Sequence, residues 1–210
     1  MNWLAHLLLS PSDIHARIGN LAADIVRQDV WAGAPEAAAK GLRLHTLIDA
    51  FTDGHAVVRD SVQRLGSTGR LRPVVVDIAY DHVLARRWDV CMPESLDVFT
   101  ERFFEEAFDV LSEYPDRVQT FIQSIHATRR LTGYVHLDGI EDAMLRLDER
   151  LSERVRQRER THDYFGDVVD QVERLEEDFF RFFPELCDAV MASDLMDEPI
   201  AWRAGRVPVP

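Results

Sequence analysis

Residues 74–84 read VVVDIAYDHVL, a run whose apolar side chains would cover a helix on every side. Pro73 stands directly before this run, and proline favours the first turn of a helix. A helix that is apolar all round belongs in the interior of a protein. The polar side chains within the run, Asp77, Asp81 and His82, are therefore expected to be buried.

Apolar residues recur at three- and four-residue spacing along most of the chain, and no run alternates between apolar and polar residues as a strand would. The pattern predicts an all-α fold, a multi-helix bundle. The predicted helices cover about 2–9, 14–27, 36–52, a segment ending near 66, 73–88, 95–113, 116–130, 139–157 and 163–183. Pro184 is expected to break or bend the last helix.

The length of 210 residues and the hydrophobic content of 46% suit one sizeable core. We expect a single helical domain over residues 1–192. The segment 193–210 contains Pro199, Pro208 and Pro210 and is expected to be a poorly ordered tail.

Composition argues against several classes of protein. A net charge of -13 disfavours binding to nucleic acid, because phosphate backbones are neutralised by Lys and Arg. No run approaches the roughly 18 apolar residues of a membrane helix. The first nine residues lack the basic start of a secretion signal, and Cys91 and Cys187 fit no ligand spacing. These features predict a cytoplasmic protein without a membrane partner, and they leave the oligomeric state open.

Polar residues stand four apart, and so on one helix face, in four of the predicted helices. The sets are Asn2 with His6, Asn20 with Asp24, His45 with Asp49 and then Asp53, and Asp77 with Asp81 next to His82. Burying an unpaired carboxylate costs several kcal/mol, so a group of them needs countercharge. A divalent metal held by aspartates and histidines would supply it.

Simpler interpretations exist for single members of these sets. Asp53 could cap the next helix, Asp77 could pair with an arginine, and a lone buried histidine is often only a hydrogen-bonded core residue. The chain contains no Walker loop, no Gly-x-Gly-x-x-Gly, no Gly-x-Ser-x-Gly and no zinc-protease helix motif. The pattern as a whole favours a site but does not name its reaction.

Four segments in this order resemble the acyl carrier protein phosphodiesterase family. They are NWLAHL at 2–7, GNLAAD at 19–24, GLRLH at 41–45 continuing through IDAFTD at 48–53, and 77–88 with Asp77, Tyr80, Asp81, His82, Leu84, Arg86 and Trp88. The resemblance covers about residues 1–190. It implies an all-helical, HD-domain-like fold, Mn²⁺ as the cofactor, and hydrolysis of the phosphodiester that joins phosphopantetheine to a serine of holo acyl carrier protein.

Two positions depart from the pattern that the resemblance leads one to expect. Thr46 stands where the family often has arginine after the histidine, which weakens any phosphate contact expected there. The adjacent pair Asp81-His82 has the reverse order of the His-Asp pair in typical HD enzymes.

The resemblance also implies roles for individual residues. Asp24, His45, Asp49 and Asp81 are the expected metal ligands. His6 and His82 are either further ligands or proton donors to the leaving serine oxygen, and Asp53 belongs to the same catalytic set as an orienting group. Substrate contacts or groups that orient the ligands are expected at Asn2, Asn20, Arg43, Asp77 and Arg86.

Acyl carrier proteins are acidic, so this acidic chain needs a local positive surface to bind one. Between residues 59 and 87 there are six arginines and three acids. We therefore expect docking at Arg70, Arg72, Arg86 or Arg87. The charged segment 139–157 is interpreted as a solvated helix face without a functional role.

Two other functions are compatible with the sequence. The same architecture with a metal could hydrolyse a nucleotide or another small phosphoester, because a fold does not fix a substrate. A non-catalytic helical binding protein, with its buried carboxylates paired to arginines, is the third possibility.

Overall fold

The computed structural model describes residues 3–26, 31 and 33–202. Within these residues the regular elements are all helical, which confirms the predicted all-α multi-helix bundle. The first part of the chain contains α1 (Trp3–Leu8), α2 (Ile14–Leu21), α3 (Ala23–Val26), α4 (Glu36–Gly54) and α5 (Ala56–Arg64). None of the described helices is both long enough and apolar enough to cross a membrane.

The rest of the chain continues in the same manner. Its helices are α6 (Arg72–Arg86), α7 (Trp88–Cys91), α8 (Leu96–Val110), α9 (Asp116–Ala127), α10 (Arg130–Gly133), α11 (Leu137–Arg150), α12 (Glu153–Arg156) and α13 (Phe165–Met191). Short 3₁₀ turns follow α8 at Leu111–Glu113 and precede α13 at Thr161–Tyr164.

Helix α6 is the interior helix that its sequence predicts. All residues from Ile78 to Ala85 are buried, including Asp81 and His82. The helix packs against α1, α5, α11 and α13. Tyr80 contacts Phe179 of α13 with ring centroids 5.4 Å apart, so the aromatic residues of the last helix close the core around it.

Helices α2 and α4 pack unusually closely because glycines face each other's backbone. A Cβ atom on Gly19 would lie 2.3 Å from the carbonyl oxygen of Ala38. A Cβ atom on Gly41 would lie 2.1 Å from the carbonyl oxygen of Ala16. Only glycine permits this approach, which places Asn20 of α2 beside His45 of α4.

Several predicted helices are interrupted where the backbone leaves helical geometry. The predicted helix 14–27 is divided at Ala22 into α2 and α3, and Arg27 lies outside the described residues. The predicted helix 116–130 ends at Ala127, because Arg129 has a left-handed backbone with φ 49°. These breaks depend on tertiary packing, which periodicity does not report.

Pro184 neither ends α13 nor marks its last turn, since the helix continues to Met191. A proline inside a helix costs about 3 kcal/mol. The turns after it bury Leu186, Cys187 and Val190 against the core, which offsets that cost. The expected end of this helix near 183 is therefore wrong.

Residues 193–202 differ from the tail that the sequence predicts. Leu195 is buried, and the ring of Trp202 lies 4.7 Å from that of Phe183. Lys40 and Asp197 form an ion pair of 2.6 Å. The prolines obscured these anchoring residues in the sequence. Residues 203–210 lie outside the described residues, and the single-domain boundary at 192 stays a prediction.

Candidate metal centre

Three side chains from two helices bring their ligand atoms together. His6 of α1 and His45 and Asp49 of α4 each offer one atom, and these atoms all lie within 4.8 Å of one another. His45 and Asp49 are four residues apart on one helix, as the sequence indicated. His6 reaches them because α1 packs against α2, which in turn packs closely against α4.

The contacts within this triad are short. Nε2 of His6 lies 3.2 Å from Oδ1 of Asp49, and Nε2 of His45 lies 3.0 Å from Oδ2 of the same carboxylate. The two imidazole rings are stacked, with centroids 4.1 Å apart. Both histidines therefore direct the same nitrogen toward one carboxylate.

Asn20 fixes the orientation of both rings. Its Nδ2 donates to the carbonyl oxygen of His6 and to Oγ of Ser10, so its Oδ1 is the acceptor, 2.8 Å from Nδ1 of His6. Its backbone oxygen lies 2.9 Å from Nδ1 of His45. Since both Nδ1 atoms donate, the lone pair of each neutral imidazole is on Nε2, on the side of Asp49. This is how metal-binding histidines are usually held.

The two histidines of the triad differ in pKa. Burial lowers the pKa of His6 to about 4, so its imidazole is neutral at pH 7. Burial alone would also lower the pKa of His45, but contacts with Asp24 and Asp49 raise it to about 9. A cation bound at Nε2 of His45 would displace that proton. The two histidines hold the pKa of Asp49 well below its usual range despite its partial burial.

Asp24 lies at the edge of the triad. Its Oδ1 is 3.5 Å from Nε2 of His45, and its side chain is 73% exposed, against 4% for His45. The pKa of Asp24 is lowered, chiefly by its close contact with the imidazole of His45. The site therefore runs from buried imidazoles to solvent-facing carboxylates.

The donor set suits a divalent cation. Nε2 of His45 is buried and has no hydrogen-bond partner among the described residues, because its close contact with Asp49 lacks hydrogen-bond geometry. An unsatisfied buried nitrogen of this kind calls for a ligand or an ion. Imidazole nitrogens with carboxylate oxygens are a common first shell for Mn²⁺, Fe²⁺ and Zn²⁺. His6, His45 and Asp49 would hold the ion, with Asp24 within reach.

Asp81, an expected metal ligand, bonds the backbone of α1 in this structure. Its Oδ2 accepts the backbone N–H of Leu4 at 2.8 Å, and its Oδ1 accepts that of Ala5 at 3.1 Å. Both carboxylate oxygens thus satisfy the first turn of α1, whose amides would otherwise be unpaired. The structure does not bring Asp81 into the triad.

His82 and Arg86 lie apart from the triad, on a surface pocket that also contains His136 and Asp138. Nδ1 of His82 donates to the carbonyl oxygen of Tyr134 at 2.7 Å. Burial lowers the pKa of His82. The sequence placed His82 next to Asp81, but neighbouring helical residues point in different directions.

Asp53 and Asp77 border the centre without joining it. Asp53 is exposed, one turn beyond Asp49 on α4. Burial raises the pKa of Asp77, and the nearby carboxylates of Asp49 and Asp53 act in the same direction. Asp77 therefore lies close enough to interact electrically with the triad, as a group that orients ligands or contacts substrate should.

The remaining predicted substrate contacts are not gathered at the centre. Arg43 is exposed and lines a shallow surface depression with Asp13 and Asp197. It shares α4 with His45 but stands two residues away, on another face. Asn2 lies outside the described residues.

The four docking arginines do not form one surface. Arg72 and Arg86 stand at opposite ends of α6, roughly 21 Å apart by the helical rise. The guanidinium of Arg72 donates to the carbonyl oxygens of Val62, Gly66 and Gly69. Nε of Arg87 donates to Glu176 at 2.9 Å. Of these four arginines, Arg70 and Arg86 have exposed side chains.

Sequence reasoning missed a cavity beside the centre, lined by residues of α1, α6 and the segment 128–150. The part of it from 139 onward belongs to the segment 139–157, for which the sequence predicts a solvated helix face. The overlooked signal is Arg146 and Arg150, four apart on one side of α11 together with apolar Leu147 and Ala143.

Comparison with known proteins agrees with the resemblance in the sequence. The profile of the family described as acyl carrier protein phosphodiesterase matches residues 1–186. The acyl carrier protein phosphodiesterase of Klebsiella pneumoniae subsp. pneumoniae is 30% identical over 188 residues, which are 89% of this chain and 95% of that protein. The protein of the same name from Pectobacterium atrosepticum is 28% identical over 197 residues, 93% of this chain and 100% of the relative.

A third relative with this name, from Escherichia coli O6:K15:H31, is 28% identical over 190 residues, 90% of this chain and 96% of its own. No solved structure matches the chain significantly. The family profile includes every residue of the triad, and the three relatives align over 89–93% of the chain. The chain belongs to the acyl carrier protein phosphodiesterase family.

Proposed function

We propose that the protein hydrolyses the phosphodiester that links 4'-phosphopantetheine to a serine of holo acyl carrier protein, releasing the apo protein and 4'-phosphopantetheine. The observation that carries the proposal is the convergence of His6, His45 and Asp49 in a chain of this family. Mn²⁺ is the ion we propose for the centre, because the resemblance implies it and the donor set accepts it.

The residues around the centre suit the steps of this reaction. A divalent ion bound there would supply Lewis acidity toward a phosphoryl oxygen and toward water. Asp24 is exposed to solvent beside His45, so its carboxylate can orient the water that attacks phosphorus, and the proton of that water passes to solvent. The bond between phosphorus and the serine oxygen breaks, and that oxygen must gain a proton.

Asp77 is suited to supply this proton. Its raised pKa favours the protonated carboxyl, and it lies near Asp49. Asn20 keeps the two imidazole rings in place throughout the reaction. It accepts a hydrogen bond from Nδ1 of each ring, which leaves Nε2 directed at Asp49. His82 and Arg86 are given no role in bond breaking, because they line a separate surface pocket, and Asp53 is given none, because its side chain is exposed one turn beyond Asp49.

The direct test is hydrolysis of purified holo acyl carrier protein in the presence of Mn²⁺, followed by mass spectrometry of the carrier. We expect loss of one phosphopantetheine group. Asp49→Asn should lower the rate at least 100-fold and should also reduce bound metal, because it removes the charge shared by the two histidines. Glu36→Gln, at the exposed start of the same helix, is the matched control and should retain both.

Each other outcome identifies a different function. Turnover of a nucleotide with no change in the carrier would support a phosphohydrolase with another substrate. Equal metal content in wild type and in Asp49→Asn, with no turnover of either substrate, would support a non-catalytic binding protein.

The location in the cell is a further part of the proposal. Cys91 and Cys187 are buried free thiols, and proteins of reducing compartments usually keep their cysteines unpaired. This supports the cytoplasm. Docking of the carrier at Arg70 or Arg86 stays a prediction, which substitution of either residue and measurement of KM at two salt concentrations would test.

A further inference from the structure

A cavity of about 210 Å³ opens beside α1 and is separate from the triad itself. Trp3 forms one wall, Asp77 and Ile78 of α6 form a second, and residues 128–134 and 139–150 form the others. Four different parts of the chain thus meet around one concave space. A built cavity of this kind is where a small molecule or a flexible arm is usually bound.

The lining is apolar on one side and cationic on the other. Trp3, Ile78 and Leu147 supply apolar surface. Arg146 and Arg150 lie one helical turn apart on α11, and both line the cavity. A ligand that matches this lining has a hydrocarbon part next to hydrogen-bond acceptors.

Arg130 adds a third positive charge to the same side. Its Nε and Nη2 donate to the hydroxyl oxygens of Thr128 and Ser124, each at 3.0 Å. Its guanidinium lies 5.6 Å from the ring centre of Trp3. Burial lowers the pKa of Arg130, and the charges of Arg146 and Arg150 lower it further. The three arginines are therefore close enough to repel one another.

These charges are only partly balanced within the described chain. Asp142 pairs with Arg146 at 2.9 Å. Neither Arg130 nor Arg150 forms an ion pair with any described residue, and Nε of Arg146 is buried without a hydrogen-bond partner there. Positive charge is therefore in excess on this side of the cavity, which favours a ligand that brings hydrogen-bond acceptors.

The cavity adjoins the candidate metal centre. Trp3 and His6 are three residues apart on α1 and so lie on neighbouring parts of one face. Asp77 lines the cavity and also lies near Asp49 of the triad. A ligand held in the cavity would extend toward the triad.

We propose that this cavity binds the pantetheine arm of the substrate, with Arg146 and Arg150 donating hydrogen bonds to its amide and hydroxyl oxygens. The inference rests on the proposed function. The arm is long and uncharged between its phosphate and its thiol, and it combines two amides and a hydroxyl with a dimethyl-substituted carbon. The apolar wall at Trp3 and Ile78 can contact the hydrocarbon parts, while the arginines can donate hydrogen bonds to the oxygens.

An acidic segment of the carrier protein is the main rival occupant. It would satisfy the arginines, but the apolar wall and the confined volume favour a thin, neutral arm over a protein segment. The same arginines also place positive charge near a phosphate that sits at the triad, which is favourable for either occupant.

The test uses pantetheine, which lacks the phosphate, so that binding does not depend on the metal centre. Saturation-transfer NMR with the full-length protein should detect pantetheine binding. Arg146→Gln and Arg150→Gln should each weaken it about tenfold, the value of one hydrogen bond to a charged group. Arg154→Gln, an exposed arginine of α12 outside the cavity, is the control and should bind like wild type. Both cavity variants should also raise KM for holo carrier about tenfold at unchanged kcat.

The outcomes separate this inference from the proposed function. If wild type cleaves the carrier but pantetheine binding and KM are equal in all variants, the cavity inference fails and the function stands. A rise in KM that disappears at high salt, with pantetheine binding unaltered, would assign the arginines to the carrier surface and overturn the inference. Pantetheine binding that depends on Arg146, in a protein that does not cleave the carrier, supports the cavity while the function fails. If Arg146→Gln does not fold, the exposed Arg150 gives the answer by itself.

Discussion

Asn20 Oδ1 accepts a hydrogen bond from Nδ1 of His6 at 2.8 Å, in a position where the side chain of Asn20 is fully buried. The backbone oxygen of Asn20 accepts a second hydrogen bond, from Nδ1 of His45. One residue of α2 thus orients both imidazoles of the triad. Without these hydrogen bonds the two buried rings could turn over, and their Nε2 atoms would no longer be held toward Asp49.

Asn20→Ala should lower the affinity for Mn²⁺ by about 10- to 100-fold, the usual effect of removing a group that orients a metal ligand. Calorimetric titration of the purified variant with Mn²⁺ measures this. The matched control is Thr161→Val, which removes a buried hydroxyl bonded to Asp148 at the far end of α11. It should cost stability without changing metal affinity. Equal affinity in Asn20→Ala and wild type would contradict the orienting role.

Asp81→Ala should destabilise the fold by about 3 kcal/mol, because two buried backbone N–H groups of α1 would lose their acceptor. Burial raises the pKa of Asp81 to about 7. Asp81→Asn keeps one of the two acceptor oxygens and turns an NH₂ group toward the other backbone N–H, so it should lose about 2 kcal/mol, less than the alanine variant. Urea unfolding measures both values.

The same variants distinguish the two roles considered for Asp81. If Asp81 serves only as an acceptor for the N–H groups of α1, the Asp81→Asn variant should bind Mn²⁺ as tightly as wild type at a temperature where the variant is folded. A large loss of metal affinity in folded Asp81→Asn would restore the ligand role that the sequence suggested.

The fold class and the triad were within reach of the sequence, for a definite reason. Helical spacing places His45 and Asp49 on one face whatever the tertiary structure is. The same rule paired Asp77 with Asp81, but it could not show that Asp81 would be used by the backbone of α1. Spacing reports faces within a helix and is silent on what lies opposite.

The cavity and the helix breaks depended on contacts between distant segments. Trp3 and Arg146 line the same cavity, although 142 residues lie between them in the chain. The left-handed backbone at Arg129 is equally invisible in a pattern of apolar residues. Periodicity within single helices therefore could not indicate that residues 128–150 meet α1 and α6 around one cavity.

Gly41→Ala should destabilise the protein by about 1–3 kcal/mol, because its new methyl group would meet the backbone of Ala16 at 2.1 Å and force α2 away from α4. The shift would also pull His45 from Asn20, so Mn²⁺ affinity should fall as well. Thermal unfolding and metal titration report the two effects.

Gly54→Ala is the matched control for this substitution. It lies at the end of the same helix, and a Cβ atom there would meet nothing within 4 Å. Its stability should stay within about 0.5 kcal/mol of wild type. A tolerated Gly41→Ala, with unchanged metal affinity, would mean that the close approach of α2 and α4 does not position the triad.

His82 should make the stability of the protein fall in mild acid. Its pKa is lowered in the folded chain, mainly by burial and also by the charge of Arg86, whereas in the unfolded chain it returns to about 6.5. Below that pH the unfolded state takes up a proton that folded His82 resists, so the free energy of unfolding decreases as the pH falls.

In the His82→Gln variant this contribution is absent. The stability advantage of wild type over the variant should therefore be smaller at pH 5 than at pH 7.5, as measured by urea unfolding, and the subtraction removes the effects of other titrating groups such as Asp81. Gln123→Ala, an exposed position of α9 without a titrating group, serves as the control and should show the same difference from wild type at both pH values. An advantage that grows toward pH 5 would mean that folded His82 binds its proton more tightly than the unfolded chain does, contrary to its burial beneath Tyr134.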